Sequence, residues 1–272
     1  MNNVEYWLAV SMMKGIGSSK LSEFYSSAIS PEEVLKGQEI LLEKSRKYVD
    51  YCAENKVKVM FCFDKEYPAV LHLIADKPKV LFAKGNIDLL EKPSVAIVGT
   101  RQPSEKAAEF ARNLASSLSK RFNIVGGGAE GIDSMAHLGA IEGFGKTVCV
   151  LGSGFLNKFP ALNHGLFEEI AEKGLLLTEQ MPDAVGNRFS LLQRNRITSA
   201  LSKAVFVVAS NETGGSMWQA ELAWRRKRQI FVPSLKLELE PSAGVKRLLD
   251  KGRAVEFDSV EEARELIVEL RD

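Results

Sequence analysis

The sequence predicts an α/β fold: a doubly wound, mostly parallel sheet preceded by a small helical domain. Three observations predict it. From residue 94 onward, short apolar runs such as Ala204-Val205-Phe206-Val207-Val208 alternate with segments of helical period. Runs without polar alternation suit parallel strands covered on both faces. Several of these runs lead straight into a glycine turn that opens the next helix. The first 60 residues, in contrast, carry helical spacing and no strand alternation. Successive β-α-β units in one sheet require right-handed crossovers.

Within residues 1–60, Tyr6, Trp7, Val10 and Met13 recur at helical spacing and should pack on a small core. Gly15-Ile16-Gly17 follows. It reads either as a tight helix–helix turn or as a helix–hairpin–helix-like element whose N–H groups meet nucleic-acid phosphates. Ser30-Pro31-Glu32-Glu33 starts a helix, with Ser as cap, Pro in the first position and acids in the first turn. A β-rich run at 57–63, a turn at 64–68 and a short strand at 80–83 open a second domain, expected over 61–257. Its strands are expected at 95–98, 123–125, 147–151, 175–178, 204–209 and 229–232. Helices are expected at 104–120, 131–143, 163–173, 191–202, 215–227 and 243–250. A last helix over 258–272 places Val260, Ala263, Leu266, Ile267 and Leu270 on one face.

The 272 residues are 45% hydrophobic and 26% charged, with a net charge of +1. This is the composition of an ordinary globular protein, and any polyanion site must be a local patch. Cys52, Cys62 and Cys149 are scattered without metal-ligand spacing. Their pattern fits a reducing compartment rather than a disulfide framework. No charged-then-apolar leader and no apolar run near membrane-spanning length is present, so the expected location is cytoplasmic.

Ligands of such sheets bind beyond the carboxyl ends of the strands, where the glycine turns fall. At Gly99-Thr100-Arg101 the backbone can approach a phosphate, the hydroxyls of Thr100 and Ser104 can donate, and Arg101 can bind in a bidentate manner. The turn at Gly126-Gly127-Gly128-Ala129-Glu130-Gly131 contains G-x-G-x-x-G between a strand and a helix. No acidic residue closes the next strand, which argues against ordinary dinucleotide binding. Asp133 can cap that helix, and His137 reads as packed rather than catalytic. Gly152-Ser153-Gly154 is a third turn. Arg194, Asn195 and Arg196 suit a polyanion, or alternatively ion pairs with Glu179 or Asp133. Thr213-Gly214-Gly215-Ser216 repeats the strand–turn–helix layout.

The ordered set AIVGTR (96–101), GGGAEGID (126–133) with AH (136–137), LGSG (151–154), RNRI (194–197), GGS (214–216) and VPS (232–234) resembles the DprA/Smf family. The resemblance runs from about residue 80 to 255 and implies an extended Rossmann-like domain after a SAM-like helical one. It further implies a protein without catalytic residues, cofactor or metal. Such a protein binds and protects single-stranded DNA, forms homodimers, and helps to load the RecA recombinase during natural transformation. Gly99, Arg101, Gly127, Gly128, Gly131, Asp133, Arg194, Asn195, Arg196, Gly215 and Ser216 fall on the family motifs. Three departures stand out. Glu130 occupies the position of a family arginine, RFSLLQRNR lacks the usual proline-containing approach, and Met217-Trp218-Gln219-Ala220 replaces an apolar-then-Thr-Ala pattern. No winged-helix segment is expected after residue 272. An alternative reading is a LOG-type nucleoside monophosphate hydrolase, partly echoed by Thr213–Ser216 with Glu221. Another is a nucleotide-sensing module on the same fold.

Overall fold

The computed structural model describes residues 3–270. Four helices come first: α1 (Val4–Met12), α2 (Ser18–Ser26), α3 (Pro31–Val34) and α4 (Glu39–Glu54). An antiparallel pair, β1 (Val57–Phe61) and β2 (Val80–Gly85), leads into the alternating part. That part comprises β3 (Ser94–Val98), α5 (Glu105–Leu118), β4 (Asn123–Gly126), α6 (Ile132–Glu142), β5 (Thr147–Leu151), α7 (His164–Lys173) and β6 (Leu175–Thr178). It continues through α8 (Arg188–Gln193), α9 (Asn195–Leu201), β7 (Ala204–Val207), α10 (Gly215–Arg225), β8 (Gln229–Pro233), α11 (Ala243–Asp250), β9 (Val255–Phe257) and α12 (Val260–Glu269).

The strands form one sheet in the order β1-β2-β6-β5-β4-β3-β7-β8-β9. From β6 to β9 every neighbouring pair is parallel, and β2 joins β6 antiparallel. The expected doubly wound, mostly parallel α/β sheet is therefore present. Strand order reverses at β3. The chain builds β4, β5 and β6 on one side of it, then crosses back to place β7, β8 and β9 on the other.

The period-2 pleat sorts the apolar residues onto two faces. Val95, Ile97, Ile124, Phe206 and Phe231 face the layer of α5, α6 and α12. Ala96, Val98, Val205, Val207, Ile230 and Val232 face α10 and α11. Phe206 stacks on Phe231 at 5.0 Å between ring centroids, and Phe257 meets Phe206 edge-on at 5.9 Å. A third core cluster joins Leu8, Val10, Leu21 and Tyr48 of the N-terminal helices to β1, β2, β5, β6 and α7. The N-terminal helices thus share their core with the sheet. Polar ties add to it: the Tyr48 hydroxyl donates to Asp183 Oδ1 at 2.5 Å, Lys44 pairs with Asp183 at 3.2 Å, and Lys79 Nζ donates to the Ser11 carbonyl at 2.5 Å.

Three expectations need correction. Strand β9 was not foreseen: it is a three-residue edge strand with Val255 and Glu256 exposed, so it lacks a buried run. The helix expected at 191–202 begins earlier and is divided. Asn187 accepts from the Ser190 N–H, and Ser190 Oγ accepts from the Asn187 N–H, which starts α8 at Arg188. The Ile197 N–H then bonds the Arg194 carbonyl three residues back, and this tightening separates α8 from α9. The strand expected at 204–209 ends at Val207, because Val208 and Ala209 leave it to bond Val98 and Thr100. Residues 271 and 272 of the expected last helix lie outside the described residues.

The α5–α6 contact is close because Ala107, Ala111, Ala136, Gly139 and Ala140 line it. A Cβ on Gly139 would lie 2.0 Å from the Arg112 carbonyl oxygen. Gly139→Ala should therefore destabilise the fold by about 2–3 kcal/mol through overpacking. Urea denaturation should register a lower midpoint with an unchanged slope.

Candidate functional site: a cleft at the strand-order reversal

The connection after β3 runs to α5 on one face, and the connection after β7 runs to α10 on the other. Two adjacent strands that send their chains apart leave a crevice beyond their carboxyl ends. The two connections are joined just beyond their strands by Thr100 N–H donating to the Ala209 carbonyl at 2.7 Å. The result is a cleft of about 940 Å³.

Of the residues expected at the site, Gly99, Thr100, Arg101, Asp133, Arg194, Asn195, Gly214, Gly215 and Ser216 line this cleft. Gly127 lines a small side pocket beside Arg101 and Arg194. Ser104, Gly126, Gly128, Gly131 and Arg196 do not line it. Ser104 caps α5 by accepting from the Ala107 N–H at 3.2 Å. Gly126 packs on the His137 ring, Gly128 (φ +66°) on Phe167 and Cys149, and Gly131 (φ +79°) on the backbone of Thr100 and Arg101. Backbone of positive φ and such close approach is what glycine tolerates.

The arginine pair serves two structural purposes. Arg194 is 6% exposed. Its Nη1 donates to the Val150 carbonyl at 2.6 Å and its Nε to the Leu191 carbonyl at 3.3 Å. The guanidinium lies so close to Gly127 that a Cβ there would come within 1.5 Å of Nη1. Beside it, Asp133 Oδ2 accepts from the Gly127 N–H at 2.9 Å. Burial pushes the Asp133 carboxyl above the usual carboxylate range, while the Arg194 charge and the N–H groups of Gly127 and Ala129 pull the other way. Arg196, 5% exposed, turns away from the cleft. It makes a bidentate pair with Glu179 at 2.6 and 2.7 Å and meets Asp76 Oδ2 at 2.9 Å. Of the two ion-pair partners weighed from the sequence, Glu179 pairs with Arg196 and Asp133 lies beside Arg194.

The cations left facing solvent are Arg101 and Arg188. Both are exposed at the cleft, and neither makes a side-chain hydrogen bond or ion pair among the described residues. Arg188 was missed by the sequence reading, although the Asn187–Ser190 cap that positions it is legible in GNRFS. Phe159, Asn187, Trp218 and Gln219 also line the cleft and were missed. Glu130, exposed, shares the side pocket with Arg101 but makes no ion pair with it within 4.0 Å. The first turn of α10 opens onto the cleft. Its cap, Gly214 (φ 130°), has no side chain to occupy the free N–H groups. Ser216 Oγ is fixed by Ser210 Oγ at 2.8 Å, and Asn195 Nδ2 donates to the Gly215 carbonyl at 3.4 Å.

His137 is fully buried, with Nδ1 2.6 Å from Thr147 Oγ1. Burial, aided by the Arg194 charge, pushes its pKa down to about 3 and keeps it neutral. Among the described residues no group of three or more His, Cys, Asp or Glu is placed to hold a metal ion. No described helix is long and apolar enough to cross a membrane.

Two outcomes follow for stability. Arg196→Ala strands Glu179 (13% exposed) without its cation and should cost about 3 kcal/mol or more in urea unfolding. Residue 137 makes stability fall as pH drops from 6.5 toward 3, because only the unfolded chain takes up the proton in that window. A folded His137→Gln variant should lose that part of the pH slope.

Comparison with known proteins places the chain in a family. The family model described as DNA recombination-mediator protein A matches residues 58–268. DNA processing protein DprA of Bacillus subtilis is 35% identical over 193 residues, covering 70% of this chain and 65% of that protein. Protein Smf of Synechocystis is 30% identical over 275 residues, covering 92% of this chain and 69% of that protein. The structure of DprA from Streptococcus pneumoniae superposes with a TM-score of 0.74 at 26% identity, covering all of this chain and 94% of that one. DNA processing protein A from Helicobacter pylori, studied for its single-stranded DNA binding mode, gives 0.71 at 31% identity, covering 78% of this chain and 95% of that one. The chain belongs to the DprA/Smf family, that of DNA recombination-mediator protein A.

Proposed function

We propose that the chain binds single-stranded DNA in the cleft at the strand-order reversal, through the phosphates and without catalysis. The observation that carries this reading is the pair of exposed, unpaired guanidiniums, Arg101 and Arg188, lining the same cleft as the open N-terminus of α10. Together they form a local anion site in a chain whose net charge is only +1. The single-stranded DNA binding of the Helicobacter pylori relative supports it. Protection of the strand, loading of RecA, homodimer formation and a cytoplasmic location follow as parts of the same proposal, supported by family membership. The hydrolase alternative is disfavoured by Glu221. That carboxylate is held by Arg225 at 2.8 Å and Arg253 at 2.7 Å, and it does not line the cleft.

Glu130 weakens the site at one edge, since a carboxylate near phosphate is repulsive. The phosphate-binding groups are therefore assigned to Arg101, Arg188, Thr100, Gly215 and Ser216, with Gly99 and Gly214 giving the strand close access. Arg194, Asp133 and Asn195 form the floor beneath them.

Fluorescence anisotropy with labelled single strands and duplexes across a salt series tests the reading. The expected result is a salt-sensitive preference for the single strand. Replacing Arg101 and Arg188 together by Ala should weaken binding and reduce the salt slope by roughly 1.4, the release expected for two lost contacts. Thermal stability should be unchanged. A parent protein that binds neither strand would overturn the proposal.

A further inference from the structure

A second groove of about 250 Å³ lies between α10 and α11, next to the cleft. The two depressions share three lining residues: Thr213, Gly214 and Trp218. They are therefore contiguous, separated by the Thr213–Gly214 backbone with Trp218 as a common wall. At Gly214 and Gly215 no atom stands within 4 Å of where a side chain would project, so the saddle between them is bare.

Trp218 is 41% exposed and, unlike Trp224 of the same helix, borders both depressions. The Arg225 guanidinium lies over it at 5.8 Å from the centroid. The next residue, Gln219, is 4% exposed and lines the cleft with its amide nitrogen unpartnered. The far side of the groove carries Arg247, Lys251 and Arg253. Glu221 holds Arg253 and Arg225, and Glu212 meets Arg247 at 3.5 Å, while Lys251 is exposed and without an ion pair among the described residues. Cations thus outnumber carboxylates around a half-exposed indole, one face of which is covered by Arg225. A flat π-surface flanked by positive charge fits a base and its phosphate, and it fits any base because each has a π-face.

We propose that Trp218 is a stacking platform for a nucleobase, and that a bound strand leaves the cleft over the Gly214 saddle into this groove, where Lys251 and Arg247 face the next phosphate. The inference rests on the single-stranded DNA reading and extends it to a base-contacting subsite.

The experiment compares a labelled oligothymidylate with an abasic strand of the same length and phosphate count, against the parent protein, Trp218→Ala and Trp218→Phe. Trp218→Ala should lose about tenfold in affinity for the oligothymidylate, the range of one lost base stack, and little for the abasic strand. Trp218→Phe should recover most of the loss. Thermal melting checks that each variant is folded. If the parent binds the oligothymidylate and Trp218→Ala binds it equally well, the stacking role is refuted while the DNA reading stands. Equal losses on both strands would likewise refute stacking, making Trp218 a backbone contact. A parent that binds neither strand removes both.

Discussion

The buried guanidinium of Arg194 is the constraint around which the site is organised. A charge withdrawn from water is costly unless every donor finds a partner. Here the partners come from separate parts of the sheet: the carbonyl of Val150 in β5, the carbonyl of Leu191 in α8 and the charge of Asp133 in α6. Asp133 in turn fixes the Gly127 N–H. One side chain therefore ties β5 and α8 to the turn after β4. Glycine at 127 follows from this packing, because the guanidinium occupies the space of a side chain. The same packing explains why Arg194 contributes a floor rather than a free hand for ligand.

Arg196 does comparable work on the other side of its helix. Its bidentate pair with Glu179 and its bond to the Asp76 carbonyl join α9 to the end of β6 and to the segment before β2. With both arginines committed, solvent-facing charge at the cleft falls to residues on exposed turns. Loops held by a rigid scaffold are where binding residues concentrate. Arg101 follows a glycine turn at the end of β3, and Arg188 opens a short capped helix. Buried floor and exposed cations are thus supplied by different residues.

Much of the fold was legible in the sequence because parallel strands buried on both faces leave uninterrupted apolar runs, and the glycine turns mark their carboxyl ends. Strand β9 escaped because an exposed edge of three residues carries no such run. The cleft was legible as a set of turns, but the division of labour among its residues was not. RNR reads as a polyanion site, yet its arginines are matched by groups 44, 17 and 120 positions away in the chain. Only the folded topology brings those partners near. Trp218 read as a departure from a motif, and its meaning depends on α11, whose distance from α10 no local pattern reports.

The Tyr48–Asp183–Lys44 cluster carries a consequence for how the N-terminal helices relate to ligand. Asp183 belongs to the segment between β6 and α8, the same segment that delivers Asn187 and Arg188 to the cleft. The helical layer and the cleft wall thereby meet in one segment of chain. Thermodynamic reciprocity then applies: if seating of α4 favours the wall conformation that a strand prefers, strand binding must favour the seating of α4 by the same free energy. The N-terminal helices would then belong to the binding equilibrium even though none of their side chains reaches the cleft.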